Sequence, residues 1–190
     1  MKAATCVADI TPKCAVHLCG YVGEARKYTA KGIHDHPLAV SLLLEIDGVR
    51  LLFISIDVIT LGGEKAAVIK DKIQKILTIE NDHIIISAIH THSGANGLDD
   101  MTMFGTPDNP EYFAYVCEQI TDSIQHLEQQ LCEVQAYITT GKVHGYNGRI
   151  NICPLKTMRP SLHSYMEIRL SLPCAISTAM RPFWVWRICL

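Results

Sequence analysis

The sequence predicts an α/β fold: a mixed sheet that contains a β-hairpin and a β-α-β unit, flanked by helices at 63–77 and 110–131. Two aliphatic stretches flank Asp47 and Gly48, a dipeptide that favours a type I′ hairpin turn. A segment with helical spacing then separates the second aliphatic stretch from a third. Two strands joined by a helix in this way are expected to be parallel, with a right-handed crossover.

The first elements are a strand and a long connection. The alternating stretch AATCVADITP predicts a short strand that ends at Thr11 and Pro12. Residues 13–37 follow as an irregular connection, and loops of this length inside a compact domain are usually functional. The two hairpin strands are then predicted at 38–46 and 49–57.

The β-α-β unit continues with helix 63–77, whose apolar side chains recur at helical spacing on one face. These side chains are Ala66, Ile69, Ile73, Ile76 and Leu77. Residues 84–89, IIISAI, are apolar and mostly β-branched without alternation, which predicts a strand buried on both faces.

The second helix, 110–131, has Asn109 as its predicted N-cap and Pro110 at its first position. Its apolar face carries Phe113, Val116, Ile120, Ile124, Leu127 and Leu131. Two further strands are predicted, at 133–143 and 164–172. We therefore expect a single α/β domain over residues 1–172. The tail, 173–190, holds both tryptophans without a clear period and is atypical: an apolar segment, an interaction tail or a non-native sequence.

Composition excludes several classes of function. A chain of 190 residues with 48% hydrophobic and 19% charged residues is globular. A formal charge of −2 without a Lys/Arg cluster argues against a nucleic-acid partner. We see no secretory signal and no apolar run long enough to span a bilayer, so we expect a cytoplasmic protein with free thiols at its eight cysteines. Nothing in the sequence indicates the oligomeric state.

The third strand leads into a glycine-rich turn with two histidines, His90 and His92. On an extended backbone both imidazoles would lie on one face, where they could share a metal or divide into a ligand and an acid/base group. Zinc favours imidazole, and a catalytic zinc site combines three protein ligands with a water whose pKa falls to about 7. Asp57, at the end of the neighbouring parallel strand, could hydrogen-bond one ring. Two solvated histidines are the alternative.

Two other segments carry groups with possible chemistry. His34 and His36 flank Asp35 and could add metal ligands, or all three could simply brace their loop. Asn147 and Arg149 stand in the loop YNGRIN, where the guanidinium could hold a carbonyl or a carboxylate. A solvated turn is the alternative there.

The order of these motifs resembles the N-terminal part of the neutral ceramidase family. The matching stretches run over about residues 3–170: ADITP, a GY soon after it, GIHDHPL, SIDVITL, IIISAIHTHSG and YNGRIN. Members of that family are zinc amidases that hydrolyse N-acylsphingosine to sphingosine and a fatty acid. The resemblance implies that His90 is a zinc ligand, that His92 is a catalytic group beside the metal, and that Arg149 contacts the substrate or its oxyanion. It further implies substrate-binding roles for Ser93, Gly94 and Asn147.

The resemblance also defines what this chain lacks. The family's second zinc histidine, its glutamate and its tyrosine lie downstream of the matched part, and the surroundings of His163, PSLHSY, do not resemble the family's histidine segment. The leading hypothesis is a Zn²⁺-dependent hydrolase of a small-molecule or lipid amide, either active or inactive as a fragment. A second is a non-catalytic or degenerate ceramidase-like module that binds a metal or ligand. A third is a different metallohydrolase that uses four histidines together, His34, His36, His90 and His92.

Overall fold

The computed structural model describes residues 1–21, 27–99, 107–145 and 161–171; for 138–145 and 161–171 it describes the backbone. The contacts divide the chain into two compact units, Met1–Cys132 and Glu133–Leu190. The expected boundary between a domain at 1–172 and a tail at 173–190 stays a prediction, because the tail lies outside the described residues.

A five-stranded mixed sheet organises the first unit, in the order β4-β3-β2-β1-β5. The strands are β1 (Lys2–Asp9), β2 (Leu38–Ile46), β3 (Val49–Ile56), β4 (Ile84–Ala88) and β5 (Cys132–Glu133), and the helices are α1 (Gly63–Gln74) and α2 (Pro110–Ile124). Strand β2 is antiparallel to both β1 and β3, and β3 is parallel to β4. The predicted α/β fold, with its hairpin and its β-α-β unit, is confirmed.

The hairpin turn follows from its two central residues. Asp47 and Gly48 have φ values of 50° and 82°, which are the positive values that a type I′ turn requires. The register then pairs Ile46 with Val49. This turn sets the alternation of β2 and β3 and therefore determines which of their side chains face the core.

Both helices are shorter than the apolar pattern predicts. Helix α1 ends at Gln74, and α2 ends at Ile124, before a turn and a short 3₁₀ helix at Glu128–Gln130. Leu77 and Leu127 are nevertheless buried, because the turns that follow each helix still pack on the core. An apolar period therefore continues past the end of the helix itself.

The core lies between one face of the sheet and the two helices. Its largest fully buried side chains include Leu43, Leu52 and Ile54 from the strands and Ile73 and Ile120 from the helices. Burying each such side chain contributes about 1.5–3 kcal/mol of hydrophobic free energy.

The prediction that the strand at 84–89 is buried on both faces is wrong. Ile84 is 1% exposed, whereas Ile85 is 45% and Ile89 is 55% exposed. Among the described residues, β4 is one of the two edge strands of the sheet, and the face that carries Ile85 is opposite to the face that carries Ile84. An apolar run without alternation does not show whether its strand lies at the centre or at the edge.

The second unit contains an antiparallel pair of strands, β6 (Gln135–Gly145) and β7 (Ser161–Ser171). The strands predicted at 133–143 and 164–172 are thus confirmed, with somewhat different ends. The connection between them, which holds Asn147 and Arg149, lies outside the described residues.

The five cysteines in the described part of the chain are free thiols. They are Cys6, Cys14, Cys19, Cys117 and Cys132. Burial raises the pKa of the Cys6 and Cys117 thiols, which therefore stay protonated and unreactive at neutral pH.

Within the described ranges, no helix has the length and apolarity needed to cross a membrane.

Candidate active site

The site is built where the parallel strands β3 and β4 end. Their last residues, Ile56 and Ala88, are paired, and the segments that follow stay together. The Ile89 amide donates to the Ile56 carbonyl at 3.1 Å, and the Thr91 amide donates to the Val58 carbonyl at 3.3 Å. The carboxyl edge of the sheet therefore brings the residues after β3 beside the histidines after β4, as the β-α-β prediction required.

His90 has a left-handed backbone, with φ of 64°, and this corrects the expectation of an extended chain. The positive φ is uncommon for a residue with a side chain, and such outliers concentrate at functional sites. Its imidazole Nδ1 lies 2.8 Å from the carbonyl oxygen of Ile59. Because a carbonyl only accepts hydrogen bonds, Nδ1 carries the proton, and Nε2 of the neutral ring is the atom left to bind a metal or a proton.

The rings of His90 and His92 form an edge-to-face pair. Their centroids are 5.2 Å apart and their planes meet at 75°. Both side chains are exposed, so a ligand can approach them from solvent. The pair is thus brought together as predicted, although the backbone between the rings differs from the predicted one.

Asp57 is half-buried at the end of β3, and its carboxylate Oδ2 accepts a hydrogen bond of 2.9 Å from the Leu38 amide. Burial raises the pKa of the Asp57 carboxyl, and the bond from Leu38 partly offsets that effect. The carbonyl of Ile59 orients the His90 ring, and the hydrogen bond expected from Asp57 to one of the two rings stays a prediction.

The histidines of the second pair, His34 and His36, each contact a carboxylate. His36 Nδ1 is 3.0 Å from the Asp9 carboxylate and 2.9 Å from the Thr11 hydroxyl, and His34 Nδ1 is 2.8 Å from the Asp35 carboxylate. These contacts fit the alternative that this segment braces its own loop. The hypothesis that all four histidines share one metal site is wrong, because no three or more His, Cys, Asp or Glu residues in the described ranges form a group that could hold a metal ion.

A complete zinc site is not present in the described part of the chain. No group of three or more His, Cys, Asp or Glu residues there could hold a metal ion. A catalytic zinc site needs three protein ligands, and the pair of imidazoles supplies two at most. The described residues alone do not fit a catalytic zinc ion.

Sequence analysis missed a second backbone segment at the site, residues 17–21. The Gly20 amide donates to the His92 carbonyl at 2.9 Å and the Cys19 amide donates to the Gly94 carbonyl at 3.1 Å. The Tyr21 hydroxyl lies 2.9 Å from the Ser93 hydroxyl. The only sequence signal for this segment was the Gly-Tyr pair in the order of motifs.

The buried side-chain amide of Asn96 fixes the glycine-rich turn to two neighbouring segments. Asn96 is 2% exposed, and its Oδ1 accepts a hydrogen bond of 2.9 Å from the His17 amide, while its Nδ2 donates to the Pro107 carbonyl. Gly94 is buried as well, and a Cβ there would lie 3.2 Å from the Cα of Val58. The predicted substrate contact Ser93 is exposed, whereas Gly94 contributes a tight backbone turn.

A lysine from α1 holds the far end of the same turn. Lys65 Nζ donates to the carbonyls of Gly97 and Asp99 at 2.9 and 2.7 Å and to the Asp108 carboxylate at 2.8 Å. Its side chain is 15% exposed, so these bonds are partly shielded from water. The turn that carries the histidines is thus fixed to the first helix of the β-α-β unit.

The sequence model of the neutral/alkaline non-lysosomal ceramidase N-terminal region matches residues 3–154. The chain belongs to this family. The match covers the His90–His92 turn and extends to Asn147 and Arg149, which lie outside the described residues.

Two solved ceramidases have a similar fold. One is described as a ceramidase complexed with C2: it is 19% identical, has a TM-score of 0.69, and matches 88% of this chain and 28% of its own. The other is the neutral ceramidase from Pseudomonas aeruginosa, which is 20% identical, has a TM-score of 0.68, and matches 88% of this chain and 29% of its own. The chain therefore spans less than a third of either solved chain. A search of curated proteins gives no match.

Proposed function

We propose that this chain carries the N-terminal part of the active site of an amide hydrolase that acts on N-acylsphingosine or a related linear lipid amide. The family supports this proposal, because its name denotes that reaction class. The observation that carries it is the conformation of His90: its backbone is left-handed and its Nδ1 bonds the Ile59 carbonyl, which leaves Nε2 as the acceptor nitrogen of the ring. A solvated loop histidine needs neither feature.

The proposed roles follow the chemistry of each side chain. His90 is a zinc ligand through Nε2, and Zn²⁺ is the proposed cofactor, with its remaining ligands supplied from outside the described residues. His92 accepts and returns a proton as the general acid/base group beside the reacting amide. Arg149 donates to the amide oxygen as that oxygen gains negative charge. Ser93, Gly94 and Asn147 contact the substrate.

Metal content tests the assignment of His90. After zinc loading and desalting, we expect the unmodified protein to retain more zinc per chain than His90→Ala, as measured by elemental analysis. His126→Ala is the matched control, because His126 is also an exposed histidine but follows α2. Stoichiometric zinc that survives His90→Ala would contradict the assignment.

Turnover tests the reaction. We expect hydrolysis of an N-acylsphingosine with a fluorescent acyl chain to depend on added zinc and to be lost in His92→Ala. A second candidate function, a degenerate module that binds a ligand without turnover, is favoured by one observation: the described residues do not provide three metal ligands. Zinc binding without release of the labelled fatty acid would support that alternative.

A further inference from the structure

The segment at 17–21 touches His92 at a position where no side chain fits. A Cβ built on Gly20 would lie less than 3.0 Å from the Cα, Cβ and Cγ of His92, a separation that real Cβ atoms essentially never show. Two of these three atoms, Cβ and Cγ, determine where the imidazole begins. His92 can therefore lie where it does only because Gly20 has no side chain.

The two segments cannot move apart without losing hydrogen bonds. The Gly20 amide bonds the His92 carbonyl at 2.9 Å, and the Asn96 amide bonds the His17 carbonyl at 2.9 Å. Between these bonds, Leu18 and Ala95 form an antiparallel bridge. The buried side chain of Asn96 closes the arrangement by accepting from the His17 amide.

Position 20 requires glycine because there is no space for a side chain, and not because of its backbone torsions. The φ of Gly20 lies outside the left-handed region, so an L-residue could adopt this backbone conformation. Gly97, in contrast, has φ of 108°, and a side chain there would be strained wherever it pointed. A methyl group at Gly20 therefore acts chiefly on its neighbour, His92.

Tyr21 extends the same contact by one residue. Its hydroxyl lies 2.9 Å from the Ser93 hydroxyl, although the two residues are 72 positions apart in the sequence. Gly20 and Tyr21 thus face His92 and Ser93 as consecutive pairs, one through direct backbone packing and the other through a side-chain hydrogen bond.

We propose that residues 17–21 are a positioning clamp for the active-site turn, in which Gly20 sets the place of the His92 ring and Tyr21 holds Ser93. Its consequence for catalysis rests on the proposed function. Its geometric consequence does not: a side chain at Gly20 displaces the His92 ring from the ring of His90.

The test compares Gly20→Ala with Gly32→Ala, using NMR of the imidazole side chains in the full chain. Gly32 is the matched control, because a Cβ there meets nothing within 4 Å. We expect Gly20→Ala to shift the His92 ring resonances and to weaken the nuclear Overhauser effect between the two rings at least twofold. Gly32→Ala should leave both unchanged. Unchanged His92 resonances and an unchanged effect in Gly20→Ala would overturn the proposal.

Tyr21→Phe decides the question if Gly20→Ala does not fold. This variant keeps the ring and removes only the hydroxyl, so we expect chemical-shift changes at the Ser93 and His92 amides. Tyr28→Phe is its control, since Tyr28 is 63% exposed and outside the clamp. Changes no larger than those of the control would overturn the proposal.

Kinetics separate the clamp from the proposed function. If the protein hydrolyses N-acylsphingosine, we expect Gly20→Ala to lower kcat by about 10- to 100-fold with a smaller change in KM, because displacement of a reacting group by about 1 Å has an effect of that size. If the unmodified protein shows no turnover, the proposed function fails, and the NMR comparison still decides whether Gly20 positions His92.

Discussion

At the end of β3, the carboxyl group of Asp57 makes the stability of the fold depend on pH. Its folded-state pKa is raised by burial. The folded protein therefore holds this proton more tightly than the unfolded chain, whose Asp pKa is about 3.9. The sign follows: the contribution of Asp57 to stability is greatest below the unfolded pKa and falls as pH rises through the folded pKa.

We therefore predict different effects on stability for two substitutions of Asp57, one that keeps the acceptor for the Leu38 amide and one that removes it. Asp57→Asn keeps an oxygen acceptor for the Leu38 amide and removes the charge, so its stability relative to the unmodified protein should increase from pH 4 to pH 7. Asp57→Ala leaves the Leu38 amide without its partner and should cost about 1 kcal/mol. Urea denaturation at both pH values measures both effects. Equal destabilisation by Asn and Ala at pH 7 would show that the charge of Asp57 is favourable in the folded state.

Single residues also show where sequence analysis is limited. His90 and His92 could be predicted because their signal is local: a strand, an H-x-H tripeptide and a glycine turn. The Ile59 carbonyl that orients His90 could not, because it is 31 positions away and a backbone oxygen has no residue signature. Gly20 was missed for the same reason, since its function depends on a contact with a distant segment.

Among the elements, helix α2 begins at a cap that the sequence predicts and the structure confirms. The Asn109 side chain accepts a hydrogen bond of 3.0 Å from the Tyr112 amide, which would otherwise lack a partner within the helix. The same helix binds the end of β1, because the buried Tyr112 hydroxyl donates to the Ile10 carbonyl at 2.9 Å. The start of α2 therefore connects the helix layer to the sheet.

We predict that Asn109→Ala lowers the free energy of unfolding by about 1 kcal/mol, which is the usual effect of losing an N-cap. Asn109→Asp is the matched control: it keeps the acceptor and places a negative charge at the positive end of the helix dipole. Thermal and urea unfolding of the three proteins measure the difference. If Asp were as destabilising as Ala, the contacts of the amide nitrogen, and not the cap, would account for the loss.

Helices and strands also differ in how well their sequence patterns predict their bounds and burial. The hairpin at Asp47 and Gly48 was predictable because the turn residues themselves impose the torsions. The helix ends were not, because Leu77 and Leu127 remain buried beyond them. The prediction that β4 is buried on both faces was wrong, because an aliphatic run is equally compatible with a central strand and with an edge strand that has one exposed face.

At the scale of the whole molecule, the parallel pairing of β3 and β4 has two consequences. The β3-α1-β4 crossover places the histidine turn beside the residues after β3, and Lys65 ties that turn back to α1. The same topology leaves β4 at one edge of the described sheet, with Ile85 exposed on it. The strand that precedes the candidate catalytic residues is thus also an edge strand of the described sheet.

Exposed apolar edge strands favour association with other chains, so we predict that Ile85→Lys lowers the concentration-dependent light scattering of the purified protein. Its free energy of unfolding should change by less than about 0.5 kcal/mol, because Ile85 is 45% exposed. Val68→Lys is the matched control: it adds the same charge at an aliphatic residue that is 41% exposed, but on α1 and away from the edge. A larger effect at Ile85 would show that the β4 edge drives association. Equal effects would attribute the change to net charge alone, since a lysine on a helix cannot block strand pairing.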